Sequence, residues 1–128
     1  MAERPSGSGA DGGPLNREPV LGVDEVDGAR IVRLGGELDL YNAQSVRQAL
    51  LDACANGPNR VVVDLSEVEF IDSTALGILI EARTGLANRS AFILAAPRVV
   101  TRRALEIAGL DRYFTVHETV PDALKAEV

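Results

Sequence analysis

Apolar residues recur along this chain with two spacings, and the spacing switches several times. Pro19 to Val26 and Arg30 to Leu34 are short apolar-containing runs separated by Asp27-Gly28, a turn pair that predicts a β-hairpin. The second run leads into Gly35-Gly36-Glu37-Leu38-Asp39-Leu40. A helical period then begins at Tyr41 or Asn42 and continues to about Asn56. It sends Ala43, Val46, Leu50, Ala53 and Cys54 inward and Arg47, Gln48 and Asp52 outward. Gly57-Pro58 stops it, a permissive glycine followed by a residue that cannot continue a helix.

The same alternation repeats. Arg60 to Leu65 reads as a strand whose β-branched run Val61-Val62-Val63 suits burial on both faces. Ser73 to Asn88 reads as a helix, Ala91 to Ala96 as an apolar strand, and Arg98 to Ala108 as a helix closed by Gly109. That helix is expected to turn Val100, Ala104 and Ile107 inward and to leave Arg102 and Arg103 at least partly exposed. Tyr113 to Val116 is a last strand. Thr119 opens a short final helix, with Asp122 at the capping-box position. Strands alternating with helices of this length predict crossover units. The expected fold is therefore a single α/β domain over residues 18–128. It has a mixed, mostly parallel sheet, an N-terminal antiparallel hairpin and about four helices. Residues 1–17, rich in Gly, Ser and Pro, hold too little apolar surface to offset ordering entropy and are expected to be a disordered tail.

Composition narrows the function. Of 128 residues, 46% are hydrophobic but only 4% aromatic, so the core must be built from Val, Leu, Ile and Ala. The net charge of −6 opposes nonspecific nucleic-acid binding, which needs a basic face. One cysteine, Cys54, leaves no disulfide or multi-cysteine zinc site and reads as a small buried hydrophobe. The one histidine, His117, has no neighbouring ligand or carboxylate cluster in sequence and reads as structural or exposed. No stretch approaches the ~20 apolar residues of a membrane span, and the start lacks a signal-peptide pattern, so a soluble cytoplasmic protein is expected.

The stretch Val61 to Glu81 carries the candidate chemistry. Asp72 stands as an N-cap before an apolar run with helical spacing, which puts Ser73 at the first helical position. Backbone N–H groups and the helix dipole favour negative charge there. On a helical wheel Ser73, Gly77, Glu81, Thr84 and Asn88 share one face, while Ala75, Leu79, Ala82 and Leu86, with Ile78 beside them, share the other. Leu76 and Ile80 fall on the flank. A solvated hydroxyl next to a glycine and a small apolar rim is a plausible docking and modification surface. Asp-Ser-Thr at a helix start is also ordinary capping chemistry, and on these residues alone that reading is favoured about two to one.

Enzyme classes fare worse. The glycines at 35 and 36 do not follow G-x-G-x-x-G, no P-loop sequence occurs, and Ser73 lacks the G-x-S-x-G elbow. Asp39, Asp64 and Asp72 near strand ends resemble the acidic pocket of a receiver in composition, but the sole lysine is Lys125. On these residues an enzyme is the weaker class.

Three segments in register carry a family likeness: Gly36-Glu37-Leu38-Asp39, Val62-Val63-Asp64-Leu65-Ser66, and Phe70-Ile71-Asp72-Ser73-Thr74-Ala75-Leu76-Gly77. With them the chain from about Val20 to Val128 resembles the STAS domain of bacterial anti-sigma-factor antagonists, a likeness that reverses the capping-only reading of Ser73. The resemblance implies that Ser73 is phosphorylated by a partner anti-sigma factor, a serine kinase that itself binds ATP. It implies that the unphosphorylated form binds that partner and frees the sigma factor, and that a phosphatase reverses the modification. Asp39 matches a position of the partner-binding surface; Asp72 and Thr74 on either side of Ser73, and Leu76, Gly77 and Ile80 along the helix, are expected to belong to it. The family often has Gly where this chain has Ala75, a change of little expected consequence. The resemblance also implies that the protein is not itself a catalyst and binds no metal or cofactor, and no direct contact with nucleic acid or membrane is expected. The alternative is a STAS scaffold or accessory subunit in a stress-signalling or lipid-transport complex.

Overall fold

The computed structural model describes residues 18–128, so the expected tail at 1–17 lies outside the described residues. The chain runs β1 (Val20–Val26), β2 (Ala29–Leu38), α1 (Ala43–Cys54), β3 (Arg60–Ile71), α2 (Ser73–Arg83), β4 (Phe92–Ala95), α3 (Val99–Ile107), β5 (Thr115–His117) and α4 (Val120–Lys125). The strands form one sheet in the order β1-β2-β3-β4-β5. β1 and β2 are antiparallel, joined through Asp27-Gly28, and every other pair is parallel. The mixed α/β sheet with four helices is thus the architecture that the period switching predicts.

Each parallel crossover advances one strand in the same direction, so right-handed connections place α1, α2 and α3 on one face. The main core has this composition: Val46 and Leu50 of α1, Leu79 and Ala82 of α2 and Leu105 of α3 pack over Val32, Val63, Leu65 and Leu94. The other face is smaller, with Ile31, Val62 and Ile93 under Ala123 of α4. Val61, Val62 and Val63 are all fully buried, as a strand covered on both sides requires. Cys54 is buried, its Sγ 3.5 Å from the Ala82 carbonyl oxygen to which it donates. Burial pushes its thiol pKa up, so it is an inert core residue.

Several boundaries differ from the sequence expectation, and one difference builds the site. β3 continues six residues past Leu65 to Ile71, and β2 continues to Leu38 through its two glycines. These extensions pair with each other from Gly35↔Glu67 to Leu38↔Ile71, whereas β4 pairs β3 only from Val61 to Asp64. Gly35 is required by crowding, since a Cβ there would lie 2.9 Å from Leu21 Cδ1 and 3.2 Å from Glu67 Cβ. Gly36 takes a left-handed φ of +73° where the register shifts. α2 ends at Arg83 instead of Asn88, because the Thr84 hydroxyl donates to the Glu81 carbonyl and the next amides bond three residues back.

α3 is rotated relative to its expected face. Thr101 and Leu105 are buried, while Val100 and Ile107 are exposed and Ala104 is intermediate. The helix carries two interleaved stripes of i, i+4 spacing, and periodicity cannot choose between them. The entry chooses: Ala96 takes φ +56°, Pro97 follows, and the Arg98 guanidinium donates to the Ser66 carbonyl at 2.9 Å. The last strand begins two residues later than expected because Phe114 turns into the core instead of pairing.

Two outcomes follow for stability. Leu79→Ala opens a cavity in the main core and should cost about 2–5 kcal/mol, while Ile107→Ala on the exposed stripe should stay within about 0.5 kcal/mol, both read by denaturant unfolding. Arg47 and Glu81 join α1 to α2 at 2.7 Å. The hydrogen bond from Arg47 holds the Glu81 carboxyl below its ordinary pKa of 4.5. A depressed carboxylate stabilises above its unfolded pKa and loses that contribution as pH falls through the folded one. The Tm advantage of wild type over Glu81→Gln should therefore be present at pH 7, close below the usual carboxylate range, and shrink with salt.

Candidate partner-binding and modification site

The paired ends of β2 and β3 bring two loops together. The Asp72 amide donates to the Leu38 carbonyl at 3.0 Å, closing the ribbon. Asp72 then has φ −101° and ψ 179°, the extended conformation of an N-cap, and its Oδ1 accepts from the Ala75 amide at 3.0 Å. Its Oδ2 accepts from the Leu40 amide at 3.1 Å. One carboxylate therefore starts α2 and also pins the β2–α1 loop.

That loop is fixed from within as well. Asp39 Oδ1 accepts from the amides of Tyr41 at 2.9 Å and Asn42 at 3.3 Å. Asn42 answers by accepting from the Asp39 amide at 3.0 Å and donating to the Glu37 carbonyl at 2.7 Å. Asn42 is consequently the N-cap residue of α1 without a side-chain capping bond. Asp39 closes its own turn rather than capping a helix. Neither Asp39 nor Asp72 is ion-paired among the described residues.

On the surface that results, Ser73, Thr74 and Gly77 are exposed, and nothing lies within 4 Å of a Cβ built on Gly77. Ile80 is half-buried. Leu76 is 7% exposed and belongs to the main core, so the apolar rim expected from Leu76 and Ile80 falls to Ile80 alone. The reason is that α2 is covered beyond its floor, with Ala75, Leu76, Ile78, Leu79 and Ala82 all buried. The missing apolar area comes from the neighbouring loop, where Leu40 is 61% and Tyr41 89% exposed. Leu40 continues the alternation of Val32, Leu34 and Leu38, and Tyr41 stands at the expected start of α1, so neither position is marked as exposed by periodicity.

His117 is level with Asp64 across β4 and β5, eight residues before Asp72. At the rise of a strand that is roughly 25 Å from the serine, too far for a general base. Among the described residues, no three His, Cys, Asp or Glu side chains could hold a metal ion, and no helix is long and apolar enough to cross a membrane. Ser73 is exposed at the surface and lies out of reach of His117.

The chain is similar to known proteins in sequence and fold. A family model described as the STAS domain matches residues 21–123. The anti-sigma-F factor antagonist RsfB of Mycobacterium tuberculosis is 35% identical over 102 residues, covering 80% of this chain and 84% of RsfB. A crystal structure of an anti-sigma factor antagonist from Mycobacterium paratuberculosis is 36% identical, with a TM-score of 0.74, covering 80% of this chain and 87% of that one. The anti-sigma factor antagonist SpoIIAA in its unphosphorylated form shares the fold at 22% identity and a TM-score of 0.67, covering 80% of this chain and 91% of its own. From the span of that family model and the identity to RsfB, the chain belongs to the STAS domain family, and its similar relatives are anti-sigma-factor antagonists.

Proposed function

We propose that this protein is an anti-sigma-factor antagonist switched at Ser73. Its unphosphorylated form binds an anti-sigma factor serine kinase in the cytoplasm and releases the sigma factor. Phosphorylation of Ser73 by that kinase, with ATP held by the partner, ends the interaction, and a phosphatase restores it. The observation that carries this reading is the exposed serine at the first position of α2, set between uncrowded Gly77 and the clamped loop of Leu40 and Tyr41. Asp39, Asp72, Thr74, Gly77 and Ile80 belong to the same surface, and Leu76 supports it from beneath.

The physics of the switch follows from charge. A phosphate adds about −1.5 to −2 at neutral pH. The fold tolerates it at a helix N-terminus, where amides and dipole favour anions. Across an interface packed against a neutral hydroxyl, and beside the Asp72 carboxylate, the same charge resists desolvation and repels. Loss of binding without unfolding is the expected result. SpoIIAA also has a structure in the phosphorylated form, so the fold accommodates both states.

Ser73→Asp should leave the Tm nearly unchanged and weaken binding, whereas Asp72→Ala should lose both. It removes an N-cap worth about 0.5–2 kcal/mol together with the bond that pins the Leu40 amide. A large stability loss in Ser73→Asp would count against the switch. The deciding experiment is a native-lysate pull-down with wild type, Ser73→Ala and Ser73→Asp as baits. Retention of an ATP-binding anti-sigma factor by the alanine bait but not the aspartate bait supports the reading. Identical partners on all three baits would make the protein a constitutive STAS scaffold or accessory subunit.

A further inference from the structure

The outward face of α3 is apolar where a solvated helix is polar. Val99 is 73%, Val100 55% and Ile107 81% exposed. They form one wall of a groove of about 450 Å³ whose other wall is Phe70 and Ile71 at the end of β3. Phe70 is itself 48% exposed. Arg103 sits within this stripe, four residues from both Val99 and Ile107, and has no ion-pair partner among the described residues. The spacing of Val100, Ala104 and Ile107 is that of a buried helix face, yet the fold buries Thr101 and Leu105 instead. A stripe patterned for burial that the chain leaves bare is the mark of an interface.

We infer that the partner of Ser73 also occupies this groove, through an apolar ridge that carries a carboxylate opposite Arg103. The inference rests on the proposed function and extends its surface. Phe70 is three residues from Ser73, so their Cα atoms are at most about 11 Å apart. A stable interface covers about 800 Å² per partner, roughly a disc of 16 Å radius. A footprint centred on Ser73 therefore reaches the near wall of the groove. Charge selects the occupant. Although the chain carries −6 overall, the local charge here is the Arg103 guanidinium, which stands amid apolar side chains with no ion-pair partner among the described residues and favours an acidic contact. A second copy docked by two-fold symmetry about this stripe would set Arg103 against its own copy. An anionic lipid surface would meet Asp39 and Asp72 at the same end of the domain.

The test uses the full chain and, as probe, the purified anti-sigma factor retained by the Ser73→Ala bait. Binding is measured by titration calorimetry for wild type, the double variant Val100→Ser with Ile107→Ser, Arg103→Glu and Ser73→Asp. Because the groove residues are exposed, each variant should keep the wild-type Tm. The expected result is a loss of about tenfold or more for the double variant. Arg103→Glu should lose several-fold and be restored by a Glu→Lys or Asp→Lys change on the partner ridge. Unchanged affinity in both groove variants, with binding lost in Ser73→Asp, overturns the inference and leaves the switch standing. Weakened groove variants with an unaffected Ser73→Asp overturn the switch and keep the groove. If wild type alone sediments as a dimer that the double variant dissociates, the occupant is a second copy and the inference fails. Retention of no anti-sigma factor by any bait removes both.

Discussion

The carboxylate of Asp72 holds a helix start and a loop with its two oxygens, and the candidate site depends on that division. Oδ1 satisfies a free amide at the start of α2, and Oδ2 fixes Leu40 in the loop before α1. Without the first bond the helix frays at the residue that carries the hydroxyl. Without the second, Leu40 and Tyr41 are no longer presented in one geometry, and a partner would have to order them at its own entropic cost. Capping the helix and fixing the loop are thus the work of one side chain. An Asp-Ser-Thr triplet that reads as ordinary capping chemistry is capping chemistry, and the cap is also what positions the serine.

The sheet order makes this arrangement possible. Sequential strands with three helices on one face leave the carboxyl ends of β2 and β3 side by side, so the loops that follow them meet without any long connection. The long β2–β3 pairing carries those loops beyond the level at which β4 stops. Gly35 allows the approach of Leu21 and Glu67 along the way, and Gly36 takes the left-handed turn in the register. The site is a product of strand length as much as of sequence motif.

Much of this was legible from residue pattern. The residue pattern locates the five strands and four α-helices of the described residues though not all their ends, Val61 to Val63 are buried on both faces, and Thr119 accepts from the Asp122 amide as its spacing suggested. Asp72 caps α2 and places Ser73 at the first helical position. The failures have physical causes. Leu76 is a core residue because α2 is buried over a broad arc, which a wheel does not reveal. α3 turned its other stripe inward because Ala96, Pro97 and Arg98 set its entry, and that information is tertiary. The exposure of Leu40 and Tyr41 is not marked by periodicity, because Leu40 is still in phase with β2 and the loop that turns both outward is fixed by Asp39 and Asp72.

The ribbon formed by the ends of β2 and β3 has a dynamic consequence. Over Glu67 to Ile71 the strand β3 has β2 on one side and no β4 on the other, so this part of the sheet is two strands wide. Two-stranded ribbons open at a fraction of the global unfolding free energy. Opening here breaks the bond between the Asp72 amide and Leu38, and with it the alignment of both loops. The amides that pair β2 and β3 at the serine end are therefore expected to exchange with solvent before those of Val61 to Val63, although Leu38, Val68 and Ile71 anchor the ribbon in the main core. The recognition surface and the core keep separate clocks.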